Sequence, residues 1–405
     1  MKPNQQEQKG SCCSCPSTDS SCDTLAQFVP LPMAQAHFDS DDAPCCGAKQ
    51  GPPASPFERP GYTLCRFVDG FVETPSGPVP RLKNDLDWVD SAGTLRARLG
   101  ISRDQYKVAP GLYCVGNPME DSPVLVTANY KLSLDCLRED TAGLNAWILV
   151  LDTRGVNVWC AAAKKNFSTA EIVRQVKRVQ LDKIVRHKVL IVPQLGAPGV
   201  AAHLVKKGCG FKVLWGPIAS SCIKQYLQNG KKIENDMRRV TFSLAERVVL
   251  VPVEISLVFK PSLVIIFALF LLSGICPDIF SPVQALQRGG MGAAAYGMGL
   301  LAGAVLVPVF LPWLPFRSFY LKGILVGLAA GVMVPWVWFD NLGMGEKIAL
   351  LLISCSMSSY AAMNFTGATP FTSPSGVEKE MRRGIPVQGA AVLAALILWV
   401  RGGFL

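Results

Sequence analysis

The feature that most constrains this chain is a change of texture near residue 261. Up to about Leu250 charged and apolar segments alternate, whereas from Pro261 onward long uncharged apolar runs dominate. Lipid offers no partners for backbone N–H and C=O groups, so a run of this kind has a helix as almost its only solution in a bilayer. Five spans are expected, at about Pro261 to Cys276, Met291 to Leu314, Leu321 to Phe339, Ile348 to Met363, and Ile385 to Val400. The first and last are short, so their ends are expected to recruit Val258, Phe259 or Phe404. The sequence therefore divides into a tail (residues 1–60), an α/β domain (61–250) and an all-α transmembrane bundle of five helices (251–405).

The N-terminus is polar and cysteine-rich with no apolar h-region, which places the module before the first span on the cytoplasmic side. The positive-inside rule agrees: Arg317, Lys322, Lys379, Arg382 and Arg383 fall on inner loops, against Arg288, Lys347 and Arg401 outside. The expected location is the cytoplasmic (inner) membrane, multi-pass. Gly299-x-x-x-Gly303 and Gly323-x-x-x-Gly327-x-x-x-Gly331 allow close helix approach, hence a compact bundle or a homodimer through small-residue faces. The polar groups within the spans are few (Ser354, Ser356, Ser358, Ser359, and Lys322 at an end), which favours anchoring in lipid over transport. The formal charge of +10 is scattered, without a basic stripe, so no nucleic-acid partner is expected.

Residues 1 to about 60 lack apolar periodicity, so disorder is the default. Cys12, Cys13, Cys15, Cys22, Cys45 and Cys46 lie there in a spacing that matches neither a ferredoxin nor a paired zinc motif. Two readings stand: an extension of no fixed role, or soft-metal capture in a metal-trafficking membrane protein.

The α/β part declares itself by alternation. Short turn-punctuated strands are expected between Gly61 and Gly116. Four strand-helix units follow: Pro123 to Thr127 with Ser133 to Arg138; Ala146 to Leu151 with Ser168 to about Val179; Lys188 to Val192 with Val200 to Lys207; and Phe211 to Trp215 with Ser220 to Gln228. Strands taking turns with helices predict a mostly parallel sheet of Rossmann-like, doubly wound type. Ligands of such sheets bind outside the strand carboxyl ends. The loops expected there carry Thr127, Asn129, Gln194, Gly196 and Gly199, the glycines allowing close backbone approach to a ligand. Walker and Gly-x-Gly-x-x-Gly phosphate loops are lacking where a nucleotide site would need them.

On the same rim lies Asn157-Val158-Trp159-Cys160-Ala161-Ala162-Ala163-Lys164, with Cys160 expected on the loop that leaves a strand. A cysteine so placed is either a small core hydrophobe or a reactive thiolate, and Lys164 four residues on would lower its pKa. A nucleophilic role needs a histidine base, and His37, His187 and His203 carry no local signature of one. A thiolate metal ligand is the better fit, and the alanine run leaves room for something flat and bulky.

This stretch resembles the signature of the membrane-anchored corrinoid protein of microbial mercury methylation. Val126 to Ser133, Leu151 to Gly155 and Pro193 to Val200 are similar to that family and, more loosely, to the corrinoid iron-sulfur protein of the acetyl-CoA pathway. The resemblance covers roughly Gly61 to Leu250, and the five-span tail fits the mercury branch. It implies a base-off, cobalamin-type corrinoid bound by Asn157 to Lys164 and the rim loops. The Cys160 thiolate would be the lower axial ligand of cobalt, and the methyl group would pass to Hg(II). It further implies a ferredoxin-like iron-sulfur partner, supplying electrons and carrying mercury, and a separate methyl-donor methyltransferase. An acetyl-CoA-pathway type carrier with another acceptor is the alternative. Ala163, Lys165-Asn166 and Ser168 depart from the family, which usually has Gly, Gly-Thr and Gly there.

Overall fold

Strand β5 (Ala146–Leu151) is buried along its whole length, which for six consecutive apolar residues requires cover on both faces of a sheet. A computed structural model describes residues 50–337, 342–369, 372 and 374–404. The expected cysteine-rich tail lies, up to residue 49, outside the described residues, as do 338–341 at the end of the third apolar run.

In chain order the elements before the apolar runs are β1 (Val68–Val72), β2 (Val79–Leu82), α1 (Trp88–Arg98), β3 (Gly111–Val115), β4 (Val124–Ala128), α2 (Lys131–Asp140), β5, α3 (Val158–Ala163), α4 (Thr169–Arg178), β6 (Val189–Pro193), α5 (Ala202–Cys209), β7 (Lys212–Gly216) and α6 (Ile223–Gln228). The strands form one mixed sheet in the order β1-β2-β3-β5-β4-β6-β7. Strands β5, β4, β6 and β7 are mutually parallel. The expected small strands add an edge that is not uniformly parallel: β3 runs antiparallel to β5, and β1 antiparallel to β2. Trp147, Leu149 and Leu151 point into one core with Ile172, Val176 and Phe211, while Ile148 and Val150 point into the other with Leu134, Leu137 and Tyr226.

Helix α1 has no counterpart in the sequence reading. Asp87 and Asp90 close a capping box at its start, but Ala97 is its one buried residue, so there is no apolar stripe to read. Behind it lies a buried charge cluster. The Lys131 ammonium donates to Asp90 at 2.6 Å and to Asp135 at 2.7 Å, and the fully buried Arg138 guanidinium donates to Asp135 at 2.8 Å and to Asp90.

The C-terminal region is helical: α7 (Leu244–Val248), α8 (Val251–Ser273), the two-residue strands β8 (Ile275–Cys276) and β9 (Ile279–Phe280), α9 (Pro282–Leu301), α10 (Val307–Phe310), α11 (Phe319–Val337), α12 (Met344–Phe365) and α13 (Pro374–Arg401). Among the described residues four stretches, Leu244–Ser273, Pro282–Phe310, Met344–Phe365 and Ser375–Phe404, are long and apolar enough to cross a membrane. The remaining run, third in chain order, corresponds to α11, whose described apolar stretch Phe319–Met333 is shorter. The first span starts ten residues before the sequence suggested, with Pro261 inside α8 rather than at its edge. A proline costs an exposed helix about 3 kcal/mol, but a helix whose neighbours satisfy the freed carbonyl tolerates it.

The glycine faces are used up inside the chain, which removes the ground for a homodimer through them. A Cβ at Gly327 would lie 2.9 Å from Cys355 Cα, and one at Gly323 2.6 Å from Ser359 Cα, both on α12. Gly299 and Gly303 press on the same helix at Ser354 and Ser358. Contact this close lets serine hydroxyls of α12 donate across to backbone carbonyls of α11: Ser354 to Gly327 at 3.2 Å, Ser358 to Gly323 at 2.7 Å and Ser359 to Tyr320 at 3.0 Å. Arg288, expected on an outer loop, is buried instead. It pairs with Glu346 at 3.0 Å, donates to the Ser273 and Trp399 carbonyls, and stacks on the Trp399 ring, tying the ends of α8, α9, α12 and α13 together.

Candidate functional site

The rim of the sheet is built around strand β4, which has β5 on one side and β6 on the other. The chain winds away from β4 in both directions, so a crevice opens at the strand carboxyl ends. A cavity of about 300 Å3 lies there, lined by Thr127 on β4, Ser133 and Cys136 on α2, Asn157, Val158 and Trp159, and Pro193 and Gly216 at the ends of β6 and β7.

Cys160 is not on a loop, as the sequence suggested, but in the first turn of helix α3. The reason is local: Asn157 is extended and its side-chain oxygen accepts from the Cys160 N–H at 2.9 Å, an N-cap that starts a short helix where the sequence reading had only a loop before Ser168. Cys160 is half-buried and packs against the core rather than lining the cavity. Lys164 closes α3 one turn further on. Ala161 and Ala162 are buried under the helix, and Ala163 is exposed.

The loop that delivers α3 is held by Asn129, which is fully buried. Its side-chain oxygen accepts from the Thr153 N–H at 3.0 Å, the Thr153 hydroxyl at 2.9 Å and the Gly155 N–H at 3.0 Å, and its amide donates to Asp152 at 3.3 Å. Asn129 is thus a positioning residue of the loop, not a group facing a ligand. Asp152 fastens the same turn by accepting from the Arg154 N–H at 3.1 Å, and its own N–H donates to Glu171 of α4 at 2.9 Å.

Gln194, Gly196 and Gly199 lie together on a single 3-10 segment, Gln194–Gly199. The glycines serve packing. A Cβ at Gly196 would sit 2.5 Å from the Phe167 ring, and one at Gly199 would collide with the Phe167 carbonyl and lie 3.2 Å from Ala162 Cα. The segment therefore lies flat on α3, and close approach is to the protein's own backbone. Gln194 is different: its side-chain oxygen is buried without a partner. A buried amide oxygen left this way is costly unless something donates to it.

The structure thus gathers Thr127, Asn157, Val158 and Trp159 at one cavity, sets Cys160 to Lys164 on the adjoining helix with Gln194, Gly196 and Gly199 against it, and sends Asn129 beneath. Sequence reasoning passed over Phe167, on which the glycines lie, and gave Asp152 and Thr153 no role beyond their place in the stretch Leu151 to Gly155. Their signal was the Asp-x-x-Gly turn, where Arg154 (φ 57°) and Gly155 (φ 75°) reverse the chain. Burial pushes the Cys114 thiol, on β3, up to about 12 and the Cys136 thiol upward, so neither is an easy thiolate at neutral pH. No cluster of three or more His, Cys, Asp or Glu able to hold a metal ion occurs among the described residues.

Comparison with known proteins follows the same boundaries. Residues 95–227, from the end of α1 to α6, match the family described as CO dehydrogenase/acetyl-CoA synthase delta subunit. The chain is 33% identical over 128 residues to the gamma subunit of the acetyl-CoA decarbonylase/synthase complex of Methanopyrus kandleri, 31% of this chain and 27% of that one. It is 35% identical over 138 residues to that of Methanothermobacter thermautotrophicus, 33% of this chain and 30% of that one. To the Archaeoglobus fulgidus subunit it is 31% identical over 143 residues, 33% of this chain and 29% of that one. The chain thus spans under a third of the length of the curated relatives it matches, and the similarity rests on the α/β part.

Proposed function

We propose that this protein is a membrane-held, corrinoid-dependent methyltransferase that passes a methyl group to Hg(II), with the Cys160 thiolate as lower axial ligand of cobalt. In this reading residues 61–250 are a Rossmann-like corrinoid-binding domain facing the cytoplasm. Residues 251–405 anchor it through five helices, and residues 1–60 are an appended tail.

The observation that carries the reading is the place of Cys160, in the first turn of a capped helix at the carboxyl edge of the parallel strands. Two features fit the cofactor's chemistry. Gln194 offers a buried, unanswered acceptor to an amide-bearing ring, and the cavity of about 300 Å3 beside Trp159 suits an appended arm rather than the ring itself. When bound base-off, the corrinoid supplies a cobalt-held methyl group that a thiolate push lets leave with its bonding electrons, toward an electrophile such as Hg(II).

The chain's own residues hold the donor. Asn157 fixes the start of α3 and so the Cys160 Cα, Asn129 and Asp152 lock the loop before it, and Phe167 with Gly199 prevents α3 from sinking. Val158 and Trp159 wall the cavity and exclude water. Turnover needs electrons and a new methyl group from outside the chain, assigned to a ferredoxin-like iron-sulfur partner, also the mercury carrier, and to a methyl-donor methyltransferase.

The second reading is a carrier of acetyl-CoA-pathway type with another acceptor, and the match of residues 95–227 favours it. Offering the methyl-loaded full-length protein Hg(II) in one reaction and an acetyl-CoA synthase in the other separates the two. Cys160→Ala is expected to abolish methylmercury formation and change the visible spectrum of the bound corrinoid, while the protein stays folded and membrane-inserted. A variant with the wild-type spectrum and rate would overturn the axial-ligand role.

A further inference from the structure

A cavity of about 930 Å3 lies away from the sheet, among the apolar helices. Its walls are α8 from Leu257 to Leu272 and α13 from Val377 to Leu396, its floor is α12, and Tyr296 of α9 reaches in. Fifteen helical steps along α8 make the cleft about 22 Å long. None of its lining residues carries a charge, which disfavours ions and charged headgroups.

One hydroxyl on the floor is out of keeping with its neighbours. Ser354, Ser358 and Ser359 all donate to α11, and Ser262 and Ser273 on α8 bond back to the carbonyls of Val258 and Leu269 at 2.6 Å. Ser356, 6% exposed, has no partner for its oxygen although it lines the cleft midway along α12. A serine in an apolar helix ordinarily takes the carbonyl four residues back, and one that forgoes it has its hydroxyl available to a ligand. Met357, Met363, Met381, Tyr296 and Tyr360 line the same cleft, and thioether and phenol groups favour the edge and face of a flat ring.

We propose that this cleft binds a neutral quinone-type amphiphile, its ring carbonyl accepting from the Ser356 hydroxyl and its chain lying along α8. The site is independent of the cobalt chemistry assigned to Cys160. Ring carbonyls match a neutral hydroxyl donor in an uncharged cleft, and the length of the cleft takes an isoprenoid or alkyl chain that a compact metabolite would leave unused. Gly389 on α13 provides a clean probe: it lines the cleft and a Cβ there meets nothing within 4 Å, so a larger side chain fills the cleft without displacing a helix.

The test is retention of radiolabelled decylubiquinone by the full-length protein in phosphatidylcholine nanodiscs, measured above partition into protein-free discs. Wild type should show one saturable site, and Gly389→Leu should weaken it at least about tenfold with an unchanged unfolding temperature. Ser356→Ala should lose about fivefold, the worth of one hydrogen bond, while Ser356→Thr restores it. Excess dioleoylglycerol should not compete. Absence of saturable retention, equal retention by Gly389→Leu, an unaffected Ser356→Ala, or displacement by dioleoylglycerol would each overturn the proposal, the last assigning the cleft to acyl lipid.

Discussion

Lys165 follows the last turn of α3 with φ 59°, a left-handed conformation that glycine adopts freely and other residues adopt at about 1 kcal/mol or more. Its side chain is exposed, and its N–H donates to the Ala162 carbonyl, a bond that any residue keeps. Lys165→Gly should therefore stabilise the protein by about 1 kcal/mol, read as a rise of about 2–4 °C in unfolding temperature. A fall would mean that the lysine side chain contributes more than its backbone strain costs. Ala163, the other departure beside it, is an exposed helical residue where Ala is better than Gly, so the two changes have opposite signs. Asp90 invites a test by pH. Burial acts against its charge, but the donors from Lys131 and Arg138 outweigh that and hold the carboxyl below the usual range. A depressed folded-state pKa gives stability that is present above the unfolded value of about 3.9 and lost as pH falls through the folded one. Asp90→Asn leaves Arg138 buried beside one fewer carboxylate and should cost about 3 kcal/mol at pH 7. That gap should narrow as the medium is acidified below about pH 4, and a gap independent of pH would remove the carboxylate's charge from the account.

At the scale of elements, what the sequence made legible depended on whether one periodicity ruled a segment. Strands β4 to β7 were readable because uninterrupted apolar runs of three to six residues sit between turn residues, and the helices between them because Ser168 and its neighbours announce their starts. Helix α1 was not, since it buries almost nothing, and α8 was cut short because proline reads as a boundary in water. The site followed the same rule: its address came from β5, but the Asn157 cap turned a loop into a helix, and Asn129 was drawn inward by hydrogen bonds across 24 residues to Thr153 that no local pattern encodes. The α11-α12 pair shows a legible motif whose partner was not. The glycine spacing signalled a close face, and the serines of α12, which occupy it, fix that face within the chain. Gly327→Leu should force the pair apart and lower the unfolding temperature of the full-length protein in detergent, by the equivalent of more than about 2 kcal/mol. Gly290→Leu on α9, where an added Cβ meets nothing within 4 Å, should change little. Equal effects of the two would deny that close packing, rather than helix propensity, sets the cost.

For the whole molecule the decisive matter is how the two kinds of core divide the chain. Every member of the two clusters that flank the sheet lies between Cys65 and Ile233 or is Met237, and the cores among the apolar helices draw on residues from Phe242 onward. The links across that boundary are of another kind. Across it α8 presses Ser256 against Gly100, whereas Arg247 of α7, 6% exposed, donates to the Pro308 and Val309 carbonyls at 2.8 and 3.0 Å within the helical part. These are polar and local contacts, each worth about 1–3 kcal/mol, whereas each flank of the sheet buries more than a dozen apolar side chains at about 1.5–3 kcal/mol apiece. A fragment of residues 50–240 keeps both sheet cores and loses the contact of Gly100 with Ser256, so it should be soluble and should unfold in one cooperative transition by circular dichroism. It should also bind a base-off corrinoid, with a visible spectrum that responds to Cys160→Ala. Arg247 tests the converse. Arg247→Met in the full chain removes the clamp while keeping an apolar stem, and should leave the unfolding of the sheet part unchanged while the helical part becomes more susceptible to proteolysis near residue 243. An insoluble fragment, or one without a cooperative transition, would show that the sheet needs the apolar helices in order to fold, and the division between Met237 and Phe242 would fall with it.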